Sequence, residues 1–203
     1  MKRLKKLLSV VLSFCMIAGM AFAMPTTASA AGAVAENGGS KSSDSQYRIV
    51  HLDAGRKYFS VDSIKQIIDT MAAAGYNYLE LAVGNDGMRF LLDDMSLTVG
   101  DKTYESDAVK TAIQNGNKAY SDFGTNELTQ GEMDEIINYA SEKGIGIIPL
   151  INTPGHMDAI LDAMTELGVQ DAAYGNIWNK SGRTIDVTNE EAKAFTYAFV
   201  EQY

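Results

Sequence analysis

Apolar positions along the chain follow two alternating patterns, one typical of buried strands and the other of amphipathic helices. Three short runs are rich in β-branched, aromatic or other apolar residues, namely Tyr47–Asp53, Tyr76–Val83 and Ile145–Ile151. The third run is almost continuously apolar, as in strands that are covered on both faces of a parallel sheet. All three runs are therefore predicted to be β-strands.

The apolar residues between these strands recur at the helical spacing of three and four positions. Ser60 is the predicted N-cap of the first helix, which ends before Gly75. Thr129 and Glu132 form a predicted capping box for a second helix, which ends at Gly144. The buried positions predicted for these two helices are Val61, Ile64, Ile67, Ile68 and Met71, followed by Met133, Ile136, Ile137 and Ala140.

Two more helices are predicted after the third strand. The first covers Met157–Leu167. The second opens with a capping box of Thr188 and Glu191 and continues through Phe199.

Residues 91–128 are too many for an ordinary connection between a strand and a helix. The segment is predicted to contain a small hairpin that turns at Gly100–Asp101 and a short helix over Ser106–Tyr120. We expect it to form an insertion over the mouth of the fold.

The order strand, helix, strand, helix, strand, helix predicts an α/β fold with a parallel sheet. Three parallel strands with their helices would leave an unpaired edge and an exposed flank. We therefore expect residues 47–203 to be the N-terminal portion, about three βα units, of a (β/α)8 TIM barrel that is truncated before strand four. A complete barrel needs about 250 residues.

The first thirty residues differ in composition from the rest. Four basic residues within the first six precede an apolar run that extends to Ala23, and the small residues Ala28-Ser29-Ala30 follow. This order predicts a signal peptide over residues 1–30 and hence a secreted or cell-surface protein. Residues 31–46 are small and polar, which predicts a disordered leader.

Charge and cysteine content limit the partners. Four of the 17 basic residues and none of the 26 acidic residues lie in residues 1–30, so the remainder carries a formal net charge of −13. Such an acidic chain is not expected to bind nucleic acid. Cys15 is the only cysteine and would leave with the signal peptide, and no membrane span is expected in the mature chain.

Polar residues follow each of the three predicted strands. Asp53 ends the first and Arg56 follows it, Asn85 and Asp86 follow the second, and His156 follows the third. The carboxyl ends of parallel strands share one edge, where α/β proteins keep their chemistry. The pattern alone also allows a solvated Asp53–Arg56 ion pair, a simple Asn-Asp-Gly turn and a structural histidine.

Four segments of the chain occur in a characteristic order, namely HLDAGRKYF (51–59), LAVGNDGMRFLLDDM (81–95), IIPLINTPGHMDAIL (147–161) and RTIDVTNEEAKAF (183–195). Together they resemble the catalytic domain of glycoside hydrolase family 20, and in particular the surface-type exo-β-N-acetylhexosaminidases of Gram-positive bacteria. The resemblance extends from about residue 47 to the last residue, so it covers the N-terminal part of that domain.

The resemblance implies a role for each strand-end residue. Arg56 matches the arginine that binds the 3- and 4-hydroxyls of a terminal N-acetylhexosamine, and Asp53 matches the acid that orients it. His156 matches a histidine that links toward the acid/base carboxylate, with Asp86 in support. Asn85 matches a substrate-binding position at which many family members have an aspartate. Asn152 likewise lies at a position where other members often have an acidic residue.

The family's mechanism is substrate-assisted, so no protein carboxylate attacks the sugar. Its Asp-Glu pair closes strand four and is expected downstream of this chain. The resemblance thus implies an exo-β-N-acetylhexosaminidase that needs no cofactor, and it implies that these residues alone are inactive. A silent carbohydrate-binding or surface module would use the same Arg56 and Asp53.

Two other classes fit the sequence poorly. The DxxDxDxE-like strand end of a chitinase-type hydrolase is absent from the sequence. A zinc site is not expected either, because His51 and His156 are the only histidines and lie far apart along the chain.

Overall fold

Three parallel strands lie side by side at the centre of the fold. The computed structural model describes residues 46–120, 126–175 and 182–203, so the predicted signal peptide and nearly all of the predicted leader lie outside the described residues. In chain order the elements are β1 (Ile49–Asp53), α1 (Val61–Ala73), β2 (Tyr78–Asn85), β3 (Gly87–Met88), β4 (Leu97–Val99), β5 (Lys102–Tyr104), α2 (Ser106–Tyr120), α3 (Gln130–Glu142), β6 (Gly146–Ile151), α4 (Asp158–Glu166) and α5 (Glu190–Val200).

Strand β2 is the centre of the sheet, with β1 on one side and β6 on the other, both parallel to it. The register pairs Ala82 with Asp53 on β1 and with Leu150 on β6. The three strands therefore end at the same edge of the sheet. The parallel α/β arrangement predicted from the sequence is confirmed.

Burial differs among the three strands. Leu79, Leu81 and Ala82 of β2 are completely buried, whereas every residue of β6 is half-buried or exposed. The apolar sequence of β6 predicts that both faces of the strand are buried, but the structure leaves the strand partly exposed. The reason is that β6 pairs with β2 alone within the described residues, so its other edge stays partly accessible.

An apolar groove runs along the outside of β1 and α1. It has a volume of about 620 Å³, and its lining includes Val50, Phe59, Ile67 and Tyr76. Like β6, β1 pairs with β2 alone among the described strands.

Helices α1 and α3 begin where the sequence predicts. The Ser60 hydroxyl caps α1 by accepting a hydrogen bond from the Ser63 amide at 3.3 Å. The predicted capping box of Thr129 and Glu132 is formed at the start of α3. Met133, Ile136 and Ala140 are buried as predicted, but Ile137 is 42% exposed, so its predicted burial is wrong.

The predicted capping box at the start of the last helix is wrong. Asn189 is the N-cap of α5, and its side chain accepts a hydrogen bond from the Ala192 amide at 3.1 Å. Thr188 is occupied elsewhere, because its hydroxyl donates to Asp186 Oδ1 at 2.6 Å and its amide donates to the same oxygen. The helix therefore starts one residue later than the sequence suggests.

The long connection contains the hairpin and the helix that the sequence predicts. Strands β4 and β5 pair around Gly100, and α2 covers Ser106–Tyr120. Helices α2 and α4 contact each other at Gly116, where an added Cβ would lie 2.3 Å from the Ala159 carbonyl oxygen. In the described part of the chain, none of the helices has the length and apolar character needed to cross a bilayer.

Candidate sugar-binding site at the strand ends

Asp86 is the centre of a polar cluster at the carboxyl edge of the sheet. It follows directly after β2, and its side chain is only 1% exposed. Its amide donates to the His156 carbonyl oxygen at 2.6 Å, and its own carbonyl oxygen accepts from the Ala159 amide at 2.8 Å. The two loops that carry Asp86 and His156 are thus fixed to each other through their backbones.

Arg56 is held by two carboxylates. Its Nε donates to Asp86 Oδ2 at 2.9 Å, and its Nη1 donates to Asp53 Oδ2 at 3.1 Å. The arginine side chain is nevertheless 45% exposed. The guanidinium is therefore oriented by the protein on one side and open to solvent on the other.

Glycine at position 55 allows this approach. A Cβ added at Gly55 would lie 2.3 Å from the Asn85 amide nitrogen, which is far inside van der Waals contact. A Cβ at Gly87 would lie 2.6 Å from the Gly55 carbonyl oxygen. Close backbone packing between the loops that follow β1 and β2 thus brings Arg56 to Asp86.

His156 completes the contact between all three strand ends. Its Nδ1 lies 3.0 Å from Asp86 Oδ1 and 3.3 Å from Arg56 Nη2. The residue has a φ of 58°, and Asp86 has a φ of 61°. Such left-handed conformations are uncommon for residues other than glycine and often mark functional turns.

The two asparagines form a hydrogen-bonded chain behind the arginine. Asn152 Nδ2 donates to Asn85 Oδ1 at 2.8 Å, and Asn85 Nδ2 donates to Asp53 Oδ2 at 2.8 Å. Asn85 is only 6% exposed. Its side chain therefore contacts Asp53 and Asn152, and it is far less accessible than Arg56.

Three further residues contact the cluster, and sequence reasoning assigned none of them to the site. Arg183 lies with its Nη1 3.8 Å from Asp86 Oδ2 and its Nε 3.4 Å from Asp158 Oδ1. The Tyr120 hydroxyl, at the end of α2, donates to Asp86 Oδ2 at 3.4 Å. The sequence could have indicated Asp158, because it lies two residues after His156. Arg183 and Tyr120 lie in distant segments of the chain, so no local pattern indicates them.

The carboxyl groups of the cluster differ in proton affinity. Burial alone would raise the pKa of Asp86, but the hydrogen bonds with Arg56, Asp158 and His156 and the charge of Arg183 bring it below its ordinary value. Burial, the hydrogen bond with Asp86 and its negative charge raise the pKa of Asp158 to about 6. The hydrogen bond to Asp86 also raises the pKa of Arg56, which therefore stays charged.

The arrangement suits an uncharged ligand that is rich in hydroxyl groups. Arg56 and His156 are partly open to solvent while their other sides are fixed by buried or half-buried carboxylates. A fixed guanidinium donates hydrogen bonds in a defined planar geometry. Histidines, cysteines and acids nowhere cluster as a metal site within the ranges that the structure describes.

The amino-acid sequence matches one protein family and is similar to characterised proteins. Residues 46–202 match the model of the glycosyl hydrolase family 20 catalytic domain. The β-hexosaminidase of Porphyromonas gingivalis is 32% identical over 123 residues, which are 60% of this chain and 14% of that protein.

Solved structures resemble about three quarters of the chain. A structure of the pneumococcal virulence factor StrH, from work on N-glycan recognition and hydrolysis, has 48% sequence identity and a TM-score of 0.73 over 76% of this chain and 37% of that one. The β-N-acetylhexosaminidase of Bacteroides fragilis has the same fold, with a TM-score of 0.55 over 77% of this chain, 28% of that chain and 23% identity.

The chain thus spans only a minor part of the proteins that it matches. The family match, however, covers more than three quarters of the 203 residues, including all three strand ends. The catalytic domain of this family is a TIM barrel, which agrees with the parallel sheet and its helices. The chain belongs to glycosyl hydrolase family 20.

Proposed function

We propose that these residues bind the terminal N-acetylhexosamine of a glycan, as part of an exo-β-N-acetylhexosaminidase. Arg56 donates hydrogen bonds to the 3- and 4-hydroxyls of the sugar, and Asp53 orients the arginine. His156, supported by Asp86, lies beside the sugar and links toward the acid/base carboxylate. The chain contributes about the first three βα units of the barrel.

The observation that carries this proposal is the position of Arg56. Its guanidinium is bound by Asp53 and by the buried Asp86, yet nearly half of the side chain is open to solvent. This contact is not a solvated surface ion pair, because Asp86 is buried, and a buried charge is costly unless it is paired and hydrogen-bonded. Asn85 and Asn152 orient Asp53, so we assign them to positioning rather than to direct sugar contact.

The reaction that we propose is retaining hydrolysis assisted by the substrate. The 2-acetamido oxygen of the sugar attacks the anomeric carbon, an aspartate orients the acetamido group, and a glutamate protonates the leaving oxygen. None of the three adjacent acidic pairs in the folded part can serve as that Asp-Glu pair, because Asp93–Asp94 lies in a loop, Asp134–Glu135 lies within α3 and Glu190–Glu191 opens α5. We therefore expect these residues alone to bind the sugar without hydrolysing it.

Binding can be measured by NMR with N-acetylglucosamine as the probe. We expect millimolar binding by the full chain, with shifts at the loops after β1, β2 and β6, and at least a tenfold loss in Arg56→Ala because a charged hydrogen-bond fork is removed. Arg48→Ala, at an exposed arginine outside the site, is the matched control and should bind normally. Equal binding by Arg56→Ala and the control would contradict the proposal.

A silent carbohydrate-binding module remains the second candidate, because the described residues and the sequence contain no acidic pair at a strand end. Release of nitrophenol from a chromogenic N-acetyl-β-glucosaminide separates the two. A longer polypeptide that joins these residues to the family's Asp-Glu pair should release nitrophenol if the enzyme proposal holds. Binding without release by that polypeptide would favour the module.

A further inference from the structure

Asp158 and Arg183 form a second pair beside the site. Asp158 is the first residue of α4, and the next amide, of Ala159, donates to the Asp86 carbonyl oxygen. The amide of Met157 donates to the Arg183 carbonyl oxygen at 3.0 Å. Backbone contacts thus place both side chains next to Asp86.

The Asp158 carboxyl group is in an unusual position for an ionised acid. Its side chain is only 15% exposed, and its Oδ2 is buried with no hydrogen-bond donor in reach among the described residues. A buried acceptor without a donor is costly, and more so when it is charged. The nearby Asp86 carboxylate cannot supply a donor, because it is itself ionised and bound by Arg56.

A proton on Asp158 removes this cost. A carboxylic acid donates a hydrogen bond. The neighbouring acceptor is the Asp86 carboxyl group, because Arg183 lies 3.8 Å from Asp86 Oδ2 and 3.4 Å from Asp158 Oδ1. We propose that Asp158 carries a proton in mildly acidic solution and donates it in a hydrogen bond to Asp86, while Arg183 contacts both carboxyl groups, so that the pair positions Asp86 for Arg56 and His156. The consequence of this positioning of Asp86 for sugar binding rests on the function proposed above.

Within the described residues, the charged groups that face this pair are consistent with one extra proton. Asp86 is contacted by Arg56, His156, Arg183 and the Tyr120 hydroxyl. Asp53 contributes a further carboxylate through Arg56. If all three carboxyl groups were ionised, they would exceed the two arginines by one negative charge, and the proton on Asp158 removes that excess. Asp162, one turn further along α4, is the other nearby acid on that helix.

The proton can be observed directly in the full chain by following the carbon-13 signal of the Asp158 carboxyl group during a pH titration. We expect a midpoint near pH 6, in agreement with the pKa that burial and Asp86 give this group. Asp86→Asn should lower the midpoint by about one unit or more, because the negative neighbour is removed. Arg183→Gln should raise the midpoint, because Arg183 favours the ionised form.

Asp162→Asn is the matched control, since burial alone raises the pKa of Asp162, and it should leave the Asp158 midpoint in place. A midpoint at the ordinary aspartate value of about 4 in the unmodified chain, or one that is unchanged in Asp86→Asn, would overturn the inference. The titration requires no sugar. A chain that fails to bind N-acetylglucosamine but titrates near pH 6 would refute the proposed function and leave this inference standing.

Discussion

Asn152 and Asn85 are joined at the ends of neighbouring parallel strands by a 2.8 Å hydrogen bond from the Asn152 amide to Asn85 Oδ1. This bond fixes the orientation of the Asn85 amide, whose nitrogen then points to Asp53 Oδ2. The family resemblance implies acids at these two positions. In this chain an acid at position 85 would meet the Asp53 carboxylate at hydrogen-bond distance, so the amide is the residue that suits its neighbour.

Asn85→Asp should therefore destabilise the fold at neutral pH. Two carboxylates would face each other across about the 2.8 Å that now separates Asn85 Nδ2 from Asp53 Oδ2, and we expect a loss of roughly 1–3 kcal/mol in the free energy of unfolding. Urea unfolding at pH 7 measures this loss.

The pH dependence of the stability of Asn85→Asp is the control for this prediction. The raised pKa of the new carboxyl group means that its penalty is absent below the unfolded-state pKa, near 4, and grows as the pH rises. A penalty of equal size at pH 3 and pH 7 would show that charge repulsion is not the cause.

Gly55→Ala should disrupt the contact between the first two loops. The added Cβ would lie 2.3 Å from the Asn85 amide nitrogen, and we expect a cost of about 1–3 kcal/mol together with displacement of Arg56. Gly131→Ala is the matched control, because Gly131 lies within α3 and its Cβ would meet no atom within 4 Å. That control should gain up to about 1 kcal/mol from helix propensity. Equal urea midpoints for the two variants would contradict the close approach.

Asn117→Ala should weaken the loop that carries Asp86. Asn117 is completely buried in α2, and its amide accepts from the Met88 amide at 2.7 Å and donates to the Met88 carbonyl oxygen at 2.6 Å. Removal leaves two backbone groups of β3 without partners, which should cost about 2–4 kcal/mol. Asn115→Ala, at an exposed position of the same helix, should cost less than about 1 kcal/mol. Similar losses in both variants, as measured by thermal unfolding, would contradict this role.

Asp158→Asn should become more stable relative to the unmodified chain as the pH rises. The folded-state pKa of Asp158 is raised to about 6, so the stability linked to its proton is fully present below pH 4 and is lost as the pH approaches and passes 6. The amide keeps a donor and cannot ionise. We expect no difference near pH 4 and a relative gain of about 1–2 kcal/mol at pH 7. A constant difference between these pH values, in urea unfolding, would argue against a retained proton.

The sequence predicted the parallel arrangement because apolar runs and caps are local signals. Ser60 and Thr129 are caps as expected, and the polar residues after β1, β2 and β6 do converge at one edge. Thr188 was misassigned because the competing acceptor, Asp186, makes the same kind of local hydrogen bond.

The parts of the site that the sequence did not predict depend on distant contacts. Arg183 reaches Asp86 across about a hundred positions of the chain, and no periodic pattern encodes such a meeting. The exposure of Ile137 and the partial burial of β6 likewise depend on which surfaces pack against them, whereas hydrophobicity alone suggests cover.

The outer edges of β1 and β6 have a consequence for the behaviour of the chain in solution. Among the described residues, each pairs with β2 alone and presents an outer row of backbone amides and carbonyls, and the groove beside β1 adds apolar surface next to one row. Such rows act as templates for foreign strands. A solution of these residues alone should therefore show light scattering that increases steeply with protein concentration, and a lysine introduced on β6 should suppress it.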